Sequence, residues 1–362
     1  MNGIQPLHLL LKALGLFVLA NLLFALWNPP VGRLSVYNLL FPGRERFPFG
    51  AGVADSNITV DDLDAMFTVH IISAPKRADE LRVVILGDSS VWGSLLHADQ
   101  TLAAQLNKSP ITCAGKTLRF YNLGFPHPSV LQDLLIMQAA MQYQPDMIVW
   151  IIAPNSLRPK TLNPFLTSNL EQVRALVREY RLRQRLPRPQ PETFFEQTIV
   201  GQRSHLARLL LLQSLAVLWA ATGVDIPPVD DHPKLSNDLP SSLALGALMP
   251  PANIRRLLLL DHLEAGTRLS AGVPILFVNQ PMFIGTGNNS DRRYNAMFPR
   301  WAYDQYRRII ARQAGTHQWA YLDLWNVVPP EDFTDYELHL SARGEERMAE
   351  AMQAAVQQVA CP

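Results

Sequence analysis

The chain has 362 residues, of which 48% are hydrophobic and 17% are charged, and its formal net charge is +1. This apolar content excludes an intrinsically disordered chain, and the near-zero net charge argues against nucleic-acid binding. The two cysteines, Cys113 and Cys361, exclude a disulfide scaffold or a cysteine-rich zinc site, and whether they pair is open. The charged fraction is below the roughly 25% usual for soluble domains, which points to a membrane.

The first apolar segment, residues 9–27, is long enough to cross a hydrocarbon core of about 30 Å as a helix. Lys12 suits one interface and Trp27 the other, and the following Pro29 stops the helix. We therefore expect residues 1–30 to form a single-pass N-terminal membrane anchor. A cleaved signal peptide and a buried core helix are the alternatives, and no small-residue cleavage site follows the segment.

Membrane orientation is weakly encoded, because arginines that follow the first segment would keep the rest of the chain in the cytoplasm by the positive-inside rule. A second apolar segment, residues 206–224, is also long enough to span. It contains Arg208, Gln213 and Ser214, so its membrane signal is weaker than that of the first.

Short apolar runs alternate with helical patterns from residue 81 onward. They predict strands at 81–86, 118–123, 147–153, 274–278 and 319–324, and helices at 101–107, 129–144, 300–314 and 341–359. This alternation predicts a three-layer α/β/α domain, residues 81–362, around a five-stranded parallel sheet.

Two regions lie outside this alternation. Residues 31–80 are expected to be a connector, and residues 157–265 a mostly helical insertion between the third and fourth strands. The insertion begins with a basic stretch that we interpret as a solvated face, the alternative being a patch for anionic headgroups or an anionic polymer. The stretch contains Arg174, Arg178, Arg181, Arg183, Arg185 and Arg188.

Polar groups suited to acyl transfer follow the strands, and ligands of open parallel sheets bind at the carboxyl ends of strands. Ser89 is the candidate nucleophile and His339 the base that would take its proton. Asp335 would orient the imidazole, with Glu337 as the alternative. Three oxyanion donors are expected: the backbone N–H groups of Ser89 and Gly124 and the side-chain amide of Asn155.

These residues resemble the blocks of the SGNH hydrolases, also called GDSL-type esterases and lipases. Gly87-Asp88-Ser89 through Gly93 matches their first block, and Gly124 matches the glycine of their second. Ala153-Pro154-Asn155 matches the third block in part. The last block, normally Asp-x-x-His, has one extra residue here, so Tyr336 stands where the acid is usual. The resemblance covers about residues 81–156 and 270–360.

The resemblance implies a serine nucleophile, a histidine base, a glycine and an asparagine in the oxyanion hole, and no metal or organic cofactor. We expect a membrane-anchored serine esterase that acts on acyl or acetyl esters through an acyl-enzyme at Ser89, with the domain outside the cytoplasm. Its partners would be the membrane and an ester substrate, either lipid or glycan, and no nucleic acid.

Two other functions are open: an O-acyltransferase (O-acetyltransferase) of a cell-surface glycan with the same machinery, and a non-catalytic assembly protein on a decayed scaffold. If Ser89 and His339 meet, residues 206–224 cannot cross the membrane alone, because the two residues would lie on opposite sides. We then expect that segment to lie in the interface or to pack on the domain.

Overall fold

The structure, a computed structural model, describes residues 6–52, 57–189, 192–225 and 232–361. Its main sheet has six strands: β3 (Glu80–Leu86), β4 (Thr112–Cys113), β5 (Lys116–Asn122), β6 (Met147–Ile152), β7 (Ile275–Asn279) and β8 (Ala320–Asp323). Two shorter strands, β1 (Ala51–Gly52) and β2 (Asn57–Ile58), pair separately and antiparallel.

The strand order of the main sheet is β4-β5-β3-β6-β7-β8. The five strands expected from the sequence are present and pair in parallel, with register pairs such as Val84 with Tyr121 and Val149 with Leu276. The predicted strand count was wrong, because β4 adds a sixth, antiparallel strand at the edge. With two residues and a tight turn at Ala114-Gly115, β4 is too short to show a periodic pattern.

The described residues form eleven α-helices. They are α1 (Pro6–Trp27), α2 (Leu63–Val69), α3 (Ser89–Trp92), α4 (Leu102–Lys108), α5 (Val130–Ala140), α6 (Pro164–Ser168), α7 (Leu170–Tyr180), α8 (Arg203–Thr222), α9 (Leu260–Leu269), α10 (Arg300–His317) and α11 (Ala342–Ala360). Side-chain caps fix some of their starts: Ser129 accepts from the Gln132 amide, and Ser341 from the Gly344 amide.

Successive residues of the central strands point into two separate apolar clusters. Val84, Ile148 and Trp150 pack with α5 and α9 on one face of the sheet. Val83 and Val149 pack with α4 and α11 on the other. All six residues of β6 are buried, as expected of a strand covered on both faces.

Residues 31–80, expected to be a connector, contribute side chains to the core. Phe47 and Phe67 are fully buried in the cluster on the α5 face, and Arg44 and Arg46 are buried as well. Residues 157–265 hold α6, α7, α8 and part of α9, joined by long irregular stretches, and the part of this region that the structure describes contains no strand.

Within the described part of the chain, two helices, α1 and α8, are long and apolar enough to cross a membrane, judged by length and composition. Most of α1 is exposed, and its Asn21 accepts a hydrogen bond from the Val200 amide at 3.1 Å. One face of α8 packs on the domain through Leu212 and Trp219, and the opposite face is exposed.

Cys113 and Cys361, whose pairing the sequence leaves open, are joined in the structure. Cys113 lies on this edge strand and is disulfide-bonded to Cys361, just beyond the end of α11. Their Cα atoms are 5.6 Å apart, although 248 residues separate them in the chain. The bond therefore joins the edge of the sheet to the C-terminal segment.

Candidate active site

The turn between β3 and α3 places Ser89 at the carboxyl edge of the sheet. Asp88 caps α3: its carboxylate accepts from the Ser90 amide at 3.0 Å and from the Ser90 hydroxyl at 2.9 Å. α3 ends after one turn at Gly93, whose φ of +86° lies in the left-handed region. The half-buried Ser89 is thus the first residue of a short helix held at both ends.

The structure brings Ser89, His339 and Asp335 together in one hydrogen-bonded chain. Ser89 Oγ lies 2.9 Å from His339 Nε2, across 250 residues of sequence. His339 Nδ1 lies 3.0 Å from Asp335 Oδ1. The hydrogen bond to the imidazole lowers the pKa of Asp335, which keeps its carboxylate ionised.

The loop after β8 determines which acid reaches the imidazole. The His339 amide donates to the Tyr336 carbonyl at 3.0 Å, and the His339 carbonyl accepts from the Thr334 amide at 3.0 Å. This turn directs Asp335, four residues before the histidine, at Nδ1. Glu337 is buried, its pKa is raised by that burial, and within the described residues its side chain makes no hydrogen bond to the imidazole.

Gly124, expected to be an oxyanion donor, packs directly against α3. A Cβ there would lie 2.5 Å from the Trp92 nitrogen and 2.8 Å from the Val91 carbonyl carbon, so only glycine fits. Its amide, however, donates to Asn122 Oδ1 at 3.0 Å, and Asn122 Nδ2 donates to the Val91 carbonyl at 2.7 Å. The Gly124 donor is therefore already engaged.

The other two expected donors lie at the same edge. The Ser89 amide is in the first turn of α3, where amides have no partner within the helix. Asn155 follows β6, and its Nδ2 donates to Tyr336 Oη at 3.3 Å. The Tyr336 ring lies against the imidazole of His339, with centroids 4.9 Å apart. All the site residues expected from the sequence thus lie in one cluster.

Sequence reasoning missed a buried clamp behind the nucleophile turn. Arg46 donates to the carbonyls of Gly93 and Leu96 at 2.8 and 2.9 Å, and its guanidinium pairs with Asp225. The guanidinium also lies 4.1 Å from the ring centroid of Trp92. No sequence signal joins these residues, because they come from three remote segments.

Gln280 is a second residue that the sequence analysis missed, although its position in the sequence could have indicated it. It comes directly after β7, and its side-chain amide lies 2.5 Å from the oxygen of the Ser90 hydroxyl, whose single hydrogen is donated to Asp88. The rule that ligands bind at the carboxyl ends of strands points to this position, as it does to Asn155.

Among the described residues, no group of three or more His, Cys, Asp or Glu side chains could hold a metal ion.

No protein-family model and no curated protein sequence matches the chain. Solved structures similar to it include TesA, at 11% identity and a TM-score of 0.38. A carbohydrate acetylesterase family member from Sinorhizobium meliloti is 12% identical with a TM-score of 0.35, and the native aryl esterase of M. smegmatis is 11% identical with the same score. Each match covers 77% of this chain and 99% of the other. These TM-scores are below 0.5, so the functional proposal rests on the geometry of the site.

Proposed function

We propose that the chain is a serine esterase of the SGNH type that cleaves carboxylic esters through an acyl-enzyme at Ser89. The observation that carries the proposal is the continuous chain of hydrogen bonds from Ser89 Oγ through His339 to Asp335, at 2.9 and 3.0 Å. A hydroxyl is a weak nucleophile until a base takes its proton, and this arrangement supplies the base and the group that orients it.

The acylation step follows from this geometry. Ser89 Oγ attacks the carbonyl carbon of the ester while its proton moves to His339 Nε2, and the π electrons of the carbonyl move to its oxygen. Asp335 stabilises the resulting imidazolium through Nδ1 without taking its proton. When the tetrahedral intermediate collapses, the C–O bond to the alcohol breaks, and the leaving oxygen takes the proton from Nε2.

Deacylation repeats the same chemistry with water as the nucleophile. His339 Nε2 takes a proton from water, the hydroxyl oxygen attacks the acyl carbon, and Ser89 leaves with the proton returned from Nε2. An alcohol of a glycan in place of water gives an O-acyltransferase instead. The donors at the site stabilise the same oxyanion in both reactions.

The first test is the reactivity of Ser89 with a fluorophosphonate probe and with p-nitrophenyl acetate. We expect the wild type to be labelled and to hydrolyse the ester, and S89A to lose the label and about 10⁴-fold or more in kcat. D335N should lose up to about 10⁴-fold because the imidazole is no longer held in the productive tautomer. Ser109→Ala, which removes an exposed hydroxyl at the end of α4, is the matched control.

Absence of labelling of the wild type would reject the esterase and leave the non-catalytic assembly protein. For a labelled enzyme, product analysis with a candidate sugar acceptor separates the two acyl-transfer reactions. Free acid as the only product identifies the esterase, and an acylated sugar identifies the transferase.

We also propose that α1 anchors the chain and that the domain lies outside the cytoplasm. The exposed apolar surface of α1 supports the anchor, and the Cys113–Cys361 disulfide supports an oxidising compartment. The exposed face of α8 carries Leu210 and Val217, and residues 209–222 contain no charged side chain, which suits a helix lying in the membrane interface.

Intact cells test this topology with a membrane-impermeant serine probe. Labelling of the wild type in intact cells, absent in S89A, supports an extracytoplasmic domain. Labelling only after lysis contradicts it. Extraction of the labelled protein from membranes by alkaline carbonate would contradict the anchor.

A further inference from the structure

Tyr336 occupies a position in the candidate site that the proposed triad leaves without a role. It stands three residues before His339, where the SGNH pattern has its acid, and that acid has moved to Asp335. The Tyr336 side chain is half-buried, with its hydroxyl 3.3 Å from Asn155 Nδ2 and its ring against the imidazole. Tyr336 therefore contacts an expected oxyanion donor and the expected base.

The hydrogen bonds of the phenol leave one donor unused. An amide nitrogen can only donate, so Asn155 Nδ2 donates to a lone pair of Tyr336 Oη. The phenol then keeps its own hydrogen, for which the described residues provide no hydrogen-bonded acceptor. A half-buried hydroxyl that lies beside the candidate base and has no partner for its proton among the described residues is positioned to donate to a ligand.

The Tyr336 phenol also remains protonated at neutral pH. Burial, together with the nearby carboxylates of Glu337 and Asp88, raises the pKa of Tyr336 to about 12. A neutral O–H donor is therefore present at neutral pH.

The expected oxyanion hole is short of donors in this chain. The Gly124 amide is engaged by Asn122 Oδ1 at 3.0 Å, which leaves the Ser89 amide and the Asn155 side chain of the three expected groups. Asn155 already points one N–H at the phenol oxygen. This contact polarises the phenol and strengthens it as a donor.

We propose that Tyr336 is an oxyanion-hole residue that donates its phenolic hydrogen to the carbonyl oxygen of the ester as negative charge develops there. This inference rests on the proposed esterase function. The proton stays on Tyr336 throughout. When the intermediate collapses, the electrons of the oxyanion re-form the carbonyl and the hydrogen bond weakens. The interaction is thus strongest in the transition state, which is where it accelerates the reaction.

The test is Y336F, measured with p-nitrophenyl acetate. Loss of an oxyanion donor lowers kcat by about 10²–10³-fold, and we expect a loss of that size with KM changed by less than about threefold. Tyr321→Phe is the matched control, because it removes a hydroxyl that has no hydrogen-bond partner among the described residues. We expect the Tyr321 variant to keep the wild-type kcat.

An unchanged kcat in Y336F would overturn the proposal, and so would a lower kcat/KM caused only by a higher KM. A rise in kcat would overturn it too, because it would mean that the phenol blocks the site. If the Y336F chain does not melt cooperatively, 3-fluorotyrosine at position 336 keeps every contact while making the phenol a stronger donor. A changed kcat at unchanged KM then supports the proposal, and an unchanged kcat overturns it. A wild type unreactive toward the fluorophosphonate overturns the esterase proposal as well, so the two failures are distinguishable.

Discussion

The buried ion pair between Arg46 and Asp225 offers the sharpest test of how the nucleophile turn is held. Both side chains are almost fully inaccessible to solvent, at 0% and 3% exposure. Two of the Arg46 nitrogens face the two Asp225 carboxylate oxygens at 2.5 and 2.6 Å. The remaining donors of Arg46 bind the carbonyls of Trp92, the last residue of α3, and of Gly93 and Leu96, which follow it.

The burial of the pair sets the expected loss of stability when one partner is removed. Asp225→Asn leaves the guanidinium charge buried without its counter-ion, and removal of one partner of a buried pair costs about 3–5 kcal/mol of folding free energy. For a chain of this length, 1 kcal/mol corresponds to roughly 1–1.5 °C in Tm, so we expect a loss of about 3–7 °C. The double variant Arg46→Met/Asp225→Leu should lose less than the sum of the two single changes, because it leaves no buried charge.

Thermal unfolding by circular dichroism measures the effect. Asp79→Asn is the matched control, since it breaks an Arg–Asp pair of 3.1 Å whose side chains are 65% and 62% exposed. Such a pair contributes about 0–1 kcal/mol. We also expect Asp225→Asn to slow labelling of Ser89, because Arg46 positions the turn after α3. Equal Tm values for the Asp225 and Asp79 variants would refute the reasoning.

Three further predictions concern other parts of the fold. Gly124→Ala should destabilise the chain by about 1–3 kcal/mol and slow Ser89 labelling, because the new Cβ meets the Trp92 backbone; unchanged Tm and labelling contradict this. Burial raises the pKa of Asp133 to about 8, against about 3.9 in the unfolded chain, so the free energy of unfolding should fall by up to about 5 kcal/mol between pH 4 and pH 8. Urea unfolding measured across this pH range should show a flatter profile for Asp133→Asn. Reduction of the Cys113–Cys361 disulfide should lower the free energy of unfolding by about 2–5 kcal/mol, and denaturant midpoints equal with and without reductant would exclude this.

Much of the fold could be predicted from the local pattern. The run Met147–Ile152 predicts a strand buried on both faces, and all its residues are buried in the centre of the sheet. The candidate site could be located because parallel strands direct their carboxyl ends to one edge. That rule alone places Ser89, Asn155 and the loop of His339 together.

The environment of each site residue could not be predicted in this way. The sequence left Asp335 and Glu337 as alternatives, and the turn through the Tyr336 carbonyl and the His339 amide selects Asp335. The sequence also indicated the Gly124 amide as an oxyanion donor, but in the structure this amide donates a hydrogen bond to Asn122 Oδ1. Both outcomes depend on side-chain directions within a loop, which no periodicity encodes.

The sequence by itself determined the alternation of strands and helices, the parallel sheet and the edge at which the polar groups gather, because apolar spacing and capping residues act within a few residues of chain. Only the tertiary structure decided the pairs that join remote segments: Arg46 with Asp225, Cys113 with Cys361, and Asn155 with Tyr336. Such pairs form because packing of the core brings the partners within bonding distance, which happens only when the remote segments meet in three dimensions.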